Sequence, residues 1–166
     1  MVNGSVDGTI APVTTSRKRP EGAAFLLAQL GAHAANRFAE RISDLGLSPA
    51  DVGLLRMIAS EPGRSQQSLA THLGVVPSRV TALIDQLDRQ GLVERRRSTE
   101  DRRNYELHLT DAGKRVMGQL RRLASAHEDD ICSALDQDKR AQLTELLELI
   151  ADKHGLTPGV HPGYRH

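Results

Sequence analysis

The chain has few aromatic residues and a single cysteine. Its 166 residues include two Phe, two Tyr and no Trp, so its core must be mainly aliphatic, which favours helices. With Cys132 as the only cysteine, an intramolecular disulfide bond is excluded, and a reducing compartment is indicated. No apolar run approaches the length needed to cross a bilayer, and the N-terminus lacks the apolar core of a signal peptide. We therefore expect a soluble cytoplasmic protein.

Neither sign of charge is in excess. Lys and Arg number 22 against 21 Asp and Glu, which rules out a uniformly basic nucleic-acid coat. The charges are unevenly distributed, however, because residues 89–103 are rich in arginine and residues 116–153 are mostly acidic. A basic patch on one module is typical of a protein that docks one face on DNA, whereas random clustering is the alternative.

Residues 64–91 carry the pattern of a helix-turn-helix. Leu69, Ala70 and Leu73 fall on one face of a first helix, and Gly74 can adopt the left-handed conformation that ends it. Pro77 suits the first position of a second helix, because amide donors there are unpaired anyway. The apolar stripe of this second helix comprises Val80, Leu83, Ile84 and Leu87.

A β-hairpin is predicted directly after these helices. Residues 92–96 can form one strand, and residues 105–109 alternate polar with apolar side chains like a second. The loop between them, residues 97–104, is polar and mostly basic. Such a hairpin with a charged tip is the wing of a winged helix-turn-helix.

Three segments carry a resemblance to a known family. Residues 92–95 read Leu-Val-Glu-Arg, residues 101–103 read Asp-Arg-Arg, and residues 107–113 read Leu-His-Leu-Thr-Asp-Ala-Gly. Together they resemble the wing signature of the MarR family of bacterial transcription regulators, whose helical plan fits about residues 26–150. The resemblance implies a mainly α fold with a minor β part. It comprises a winged helix-turn-helix with a two-stranded wing and a helical dimerisation domain built from N- and C-terminal helices.

Five segments are predicted along the chain: a disordered arm (1–20), dimerisation helices (21–46 and 111–154), the winged helix-turn-helix DNA-binding domain (48–110) and a C-terminal tail (155–166). Three long helices outside the head carry more apolar surface than one small head can cover, which favours a homodimer. Two heads about one DNA turn apart, roughly 34 Å, would read a palindrome. The basic end of the arm either touches phosphates or is a solubilising tail.

Five residues of the helix-turn-helix are predicted to contact DNA. Arg79 can donate two hydrogen bonds to a guanine edge, and Ser78 and Thr81 can contact bases or phosphates. Gln66 and Gln67, at the head of the preceding helix, are candidate phosphate donors. The alternative is that these side chains are solvated surface.

The wing supplies the remaining DNA candidates. Arg96 and Arg102 are candidate phosphate contacts, and Arg103 matches the arginine that the family inserts into the minor groove. Asp101 is expected to orient the wing tip by accepting hydrogen bonds. Two positions depart from the family pattern: Val76 replaces an N-capping Ser or Thr, and Ala82 replaces a frequent Arg.

Regulation by a small aromatic or phenolic effector is implied by the resemblance. His33, Arg37 and Met57 are candidate ligand-binding residues, against the alternative of a surface His and Arg and a core Met. Carboxylates near Cys132 disfavour a reactive thiolate. Residues 127–130 do not converge on one metal ion, and we expect no metal or cofactor.

The sequence thus predicts a sequence-specific DNA-binding transcriptional regulator. The resemblance favours a homodimeric, ligand-responsive repressor on a pseudo-palindromic operator, located in the bacterial cytoplasm and nucleoid-associated when bound. The alternative is a winged-helix protein–protein interaction module without specific DNA binding. An enzyme is not expected, because the sequence contains no phosphate-binding Gly loop, metal-ligand spacing or nucleophile motif.

Overall fold

The computed structural model describes residues 22–98 and 105–160. In these ranges the elements follow in this order: α1 (Ala23–Ser43), α2 (Pro49–Ser60), α3 (Gln66–Leu73), α4 (Pro77–Arg89), β1 (Val93–Arg97), β2 (Tyr105–Leu109), α5 (Asp111–Ile131) and α6 (Gln137–Lys153). A mostly helical chain with one small antiparallel sheet confirms the predicted fold class. None of the helices in the described ranges is both long and apolar enough to cross a membrane.

Local capping signals set most helix boundaries. Before α2, the Ser48 hydroxyl accepts from the Asp51 amide at 3.2 Å, and the Asp51 carboxylate accepts from the Ser48 amide at 2.8 Å. α3 begins at Gln66, because the Ser65 side chain accepts from the Ser68 amide and so caps the helix. Gly74 has φ +65°, as its predicted role in ending α3 requires.

The wing strands pair antiparallel, from Val93 opposite Leu109 to Arg97 opposite Tyr105. β1 begins one residue later than the predicted strand. The reason is that Leu92 lies in the capping turn that follows α4, where its amide donates to the Leu87 carbonyl at 2.9 Å.

The core lies between α2, α3, α4, the base of the wing and the start of α5. Its fully buried side chains include Leu54, Leu55, Ile58, Leu69, Leu73, Ile84, Leu87 and Leu107. The long helices α1 and α6 contribute little to this core within the single chain. Only Ile42 of α1 is buried, and α6 buries none of its residues in the described part of the structure.

Candidate nucleic-acid interface and adjoining cavity

The outward face of α4 is available for contacts. The helix buries Val80 and Ile84 on its inner side, while Ser78, Arg79 and Thr81 at its N-terminal end are exposed. The Arg79 side chain has no hydrogen bond or ion pair with any residue in the described ranges. The Thr81 hydroxyl donates to the Pro77 carbonyl at 3.1 Å, which leaves its methyl group and oxygen lone pairs facing outward. This end of α4 therefore offers one unpaired cation and two small polar side chains.

The two glutamines at the start of α3 differ in their surroundings. Gln67 is exposed. Gln66 is half-buried, and its amide oxygen accepts from the Arg95 guanidinium at 3.0 and 3.2 Å in the amide orientation that satisfies both groups. Gln66 thus links α3 to the wing, and Gln67 is the one with a free side chain at the surface.

Two of the three arginines on β1, Arg95 and Arg96, are held by neighbouring carboxylates. Arg95 donates to Asp88 at 2.7 Å and also binds Asp85, both on α4. Arg96 is exposed and donates to Glu94, with an Nε–O distance of 2.9 Å. Asp101, Arg102 and Arg103, the predicted contacts at the wing tip, lie outside the described residues.

Thr110 and Gly113, which follow β2, form the junction between the wing and α5. The Thr110 hydroxyl donates to the Gly91 carbonyl at 2.6 Å and accepts from the Gly113 amide at 3.0 Å, so it caps α5 and ties it to the end of α4. A Cβ atom on Gly113 would lie 2.1 Å from the Leu92 carbonyl oxygen. Only glycine allows α5 to approach the wing this closely.

A cavity of about 710 Å³ lies between α1, α2 and α5. Its apolar walls include Ala34, Phe38, Val52, Met117, Leu120 and Ala124. Its polar lining comes from Arg56, Ser60, Arg121 and His127. The side chains of Arg56 and Arg121 have no hydrogen bond or ion pair within residues 22–98 and 105–160. The cavity is therefore an apolar chamber with two unpaired cations in its wall.

The His127 ring in this wall packs against an aromatic side chain. It lies 5.4 Å from the Phe38 ring, and its Nδ1 atom is buried without a hydrogen-bond partner in the described structure. Burial, and next the positive charge of Arg41, lower the pKa of His127 below its usual value. Arg41 in turn donates to Asp130 at 2.6 Å, and this hydrogen bond lowers the pKa of the Asp130 carboxyl.

The structure places the three predicted ligand residues outside this cavity. His33 is exposed, Met57 is in the core, and Arg37 pairs on the surface with Glu40 at 3.2 Å and Asp130 at 3.5 Å. Their positions agree with the alternative interpretation of a surface His and Arg and a core Met. The sequence analysis missed the lining arginines: Arg56 lies one helical turn after Val52 and Arg121 one turn after Met117, but this spacing alone does not show that they meet in one cavity.

Cys132 lies beside a carboxylate. Its thiol donates to Glu128 at 3.4 Å, and burial, followed by this hydrogen bond, raises the pKa of the Cys132 thiol. A raised pKa lowers the thiolate fraction on which cysteine reactivity depends. In the described ranges, His, Cys, Asp and Glu form no group that could hold a metal ion.

Fold and surface together define a winged helix-turn-helix protein, and comparison with known proteins identifies its family. The MarR family model matches residues 45–104. The transcriptional regulator BilQ of Clostridium symbiosum is 30% identical over 122 residues, 72% of this chain and 82% of BilQ. The transcriptional repressor Rv2887 of Mycobacterium tuberculosis is 26% identical over 124 residues, 75% of this chain and 89% of the relative.

Solved structures give the same result. The transcriptional repressor CouR, solved bound to a 23-mer DNA duplex, is 32% identical with a TM-score of 0.69, and the match covers 78% of this chain and 92% of CouR. This chain belongs to the MarR family of winged-helix transcriptional regulators, as its sequence motifs predict.

Proposed function

We propose that this protein is a homodimeric transcriptional repressor that binds a pseudo-palindromic operator and responds to a small effector. One observation carries the DNA-binding proposal. The N-terminal end of α4 presents Ser78, Arg79 and Thr81 outward, while the opposite face of the helix packs in the core. A helix anchored in this way can enter the major groove with its first turns against the base edges.

The proposal assigns a DNA contact to each exposed group on this surface. Arg79, without an internal partner in the described structure, donates two hydrogen bonds to a guanine edge, which contributes about 1–3 kcal/mol of discrimination. Ser78 and Thr81 contact neighbouring bases or phosphates. Gln67 and Arg96 bind phosphates on either side. For the wing tip, the sequence supports insertion of Arg103 into the minor groove, with Arg102 on a phosphate and Asp101 orienting the loop.

The dimer proposal rests on apolar surface that one chain leaves uncovered. α6 exposes Leu143, Leu146, Leu147, Leu149 and Ile150, and α1 exposes Phe25, Leu27 and Leu30. Exposed apolar surface of this extent marks an interface. A second copy that packs its helices from residues 21–46 and 111–154 against these residues covers them. It also places two heads, residues 48–110, on successive half-sites.

The cavity between α1, α2 and α5 supports an effector with an aromatic or phenolic body and an acidic group. Its apolar wall suits the ring, and the unpaired guanidinium groups of Arg56 and Arg121 suit the anion. α1 belongs to the proposed dimerisation helices and α2 to the head. An effector bound between them therefore changes how the head is held.

The alternative function, a protein–protein interaction module, has less support. The family and the named relatives are transcriptional regulators and repressors, and CouR was solved on DNA. The same comparisons point to a family of regulators rather than of enzymes. An unpaired arginine at the leading end of the recognition helix also suits DNA better than a neutral protein surface.

The test is a DNA selection with the purified full-length chain on a random duplex pool. Affinity for the selected duplex and a scrambled duplex is then measured by fluorescence anisotropy at two salt concentrations. We expect the scrambled duplex to bind at least 10³-fold more weakly and Arg79→Ala to lose roughly 10- to 100-fold for the selected duplex alone. Arg122→Ala, an exposed arginine on α5, is the charge-matched control. Failure to enrich any sequence would overturn the proposal.

The effector part has its own test. Benzoate should raise the Tm of the protein and of Arg122→Ala, whereas the neutral benzamide should not. The same addition should have no effect on a variant with Arg56→Met and Arg121→Met, which keeps the apolar wall and removes both cations. Equal shifts with benzoate and benzamide would show that no anion site is present.

A further inference from the structure

The side chain of Val76, the residue immediately before α4, contributes nothing visible to the fold, although its carbonyl accepts from the Arg79 amide at 3.1 Å. Val76 occupies the N-cap of the helix, where Ser, Thr, Asp or Asn normally accepts a hydrogen bond from a first-turn amide. Its isopropyl group makes no such bond within the described structure. The side chain is also 64% exposed, so it gains little from burial. A branched apolar residue thus stands where a polar one would stabilise the helix.

Val76 lies at the leading end of α4, next to the proposed reading surface. Pro77 and Ser78 follow it directly, both exposed at the leading end of α4. At about 100° per residue, Ala82 lies on the same face as Ser78, one turn further along, and it is exposed as well. Neither Val76 nor Ala82 can donate or accept a side-chain hydrogen bond. The leading edge of this helix is therefore partly apolar.

We propose that Val76 is a specificity-determining residue whose methyl groups pack against the C5-methyl group of a thymine in the major groove. The proposal rests on the DNA-binding function proposed above. Thymine is the only standard DNA base with a methyl group in that groove. An apolar side chain at the end of the helix that enters the groove gains from contact with that methyl group. It offers no partner to the hydrogen-bonding groups of the other bases.

The size of the effect follows from the burial of one methyl group. Removing a methyl group from water changes an equilibrium constant by about fourfold. Replacing the contacted thymine with deoxyuridine deletes this methyl group and leaves the base pairing unchanged. We therefore expect about fourfold weaker binding for one half-site and roughly 15-fold for both half-sites of a palindrome.

Three substitutions separate the capping role of the position from its methyl contact. Val76→Thr adds a capping hydroxyl and keeps one methyl group. Val76→Ser adds the hydroxyl and removes both methyl groups, and Val76→Ala removes most of the apolar contact without adding a cap. Restored capping should raise the Tm of the Thr and Ser variants by about 2–4 °C and leave that of the Ala variant nearly unchanged. Preference for thymine over deoxyuridine should instead persist in the Thr variant and fall to near unity in the other two.

The experiment uses the full-length chain and the duplex that it selects from a random pool. Each thymine of a half-site is replaced in turn by deoxyuridine. Thymines in the flanking DNA, outside the selected sequence, serve as controls. The proposal holds if one position shows the loss with the wild-type protein and not with Val76→Ser. It is overturned if every position tolerates deoxyuridine, or if Val76→Ser keeps the same sensitive position. Failure to select any duplex would overturn the proposed DNA-binding function together with this proposal. A duplex that is selected but tolerates deoxyuridine everywhere would overturn only the contact of Val76.

Discussion

The guanidinium group of Arg95 on β1 donates a hydrogen bond to the Asp88 carboxylate on α4, with an N–O distance of 2.7 Å. The same side chain binds Asp85 one turn earlier on α4, and the Gln66 amide oxygen of α3 lies 3.0 Å from one of its nitrogens. One arginine therefore joins the first wing strand to both helices of the helix-turn-helix. Its guanidinium group is bound by side chains of the protein itself, and these contacts hold the wing at a fixed angle to α4.

The first prediction follows from this arrangement. Arg95→Ala should weaken operator binding several-fold by loosening the wing, and it should lower the free energy of unfolding by about 1 kcal/mol. The slope of log K against log salt should stay unchanged, because the residue does not neutralise a phosphate. Arg96→Ala, on the adjacent exposed arginine, should reduce that slope by about 0.9. A comparable reduction of the slope in Arg95→Ala would show that Arg95 contacts DNA directly.

The second prediction compares two glycines on α5. Gly113→Ala forces a methyl group to within 2.1 Å of the Leu92 carbonyl oxygen, so α5 must move away from the wing. We expect a loss of about 1–3 kcal/mol in the free energy of unfolding by urea. Gly118→Ala is the matched control, since its Cβ would meet no atom within 4 Å and alanine favours a helix by roughly 0.5–1 kcal/mol. Equal stabilities of the two variants would contradict the close contact at Leu92.

Local patterns predicted the parts of the fold that depend on neighbours in the sequence. Gly74, predicted to end the first helix, directly follows α3 in the left-handed conformation, and Pro77, predicted at the first position of the next helix, begins α4. Gly113 is part of the family motif at residues 107–113. Why this position requires glycine becomes visible only in the structure, because the Leu92 carbonyl that approaches it lies 21 residues away in the sequence.

The cavity between α1, α2 and α5 could not be located in the same way. The sequence directed attention to Arg37, whereas in the structure this arginine is drawn to Asp130, 93 residues further along the chain. Arg56 and Arg121 face the cavity because α1 packs against α2 and α5, a long-range arrangement that helical periodicity does not specify. The DNA contacts proposed for Ser78, Arg79 and Thr81 remain predictions that agree with their exposure.

The third prediction concerns pH and His127. Its pKa in the folded protein lies below the ordinary 6.5, mainly because the ring is buried. Between the two pKa values the unfolded chain binds more protons than the folded one, so stability should fall as the pH drops below about 6.5. As the pH is lowered, the Tm of the wild-type protein should therefore decrease more steeply than that of His127→Gln.

The control for this experiment is a measurement at pH 8, where the imidazole is neutral in both states. The difference between the wild-type protein and His127→Gln at that pH gives the loss of packing against Phe38 alone. Subtracting it isolates the effect of proton binding. Parallel Tm curves from pH 8 to pH 5 would contradict the lowered pKa of His127.

The fourth prediction tests the dimer through α6, where Leu146 is 52% exposed in the single chain. Leu146→Glu places a charge in the proposed interface. In analytical ultracentrifugation this variant should sediment as a monomer at concentrations where the wild-type protein is a dimer. Operator affinity should fall with it, because two half-sites are no longer bound together. Ala141→Glu puts the same charge on a different face of α6, about 140° around the helix from Leu146, and should leave the dimer intact. A dimeric Leu146→Glu variant would mean that the subunits associate elsewhere.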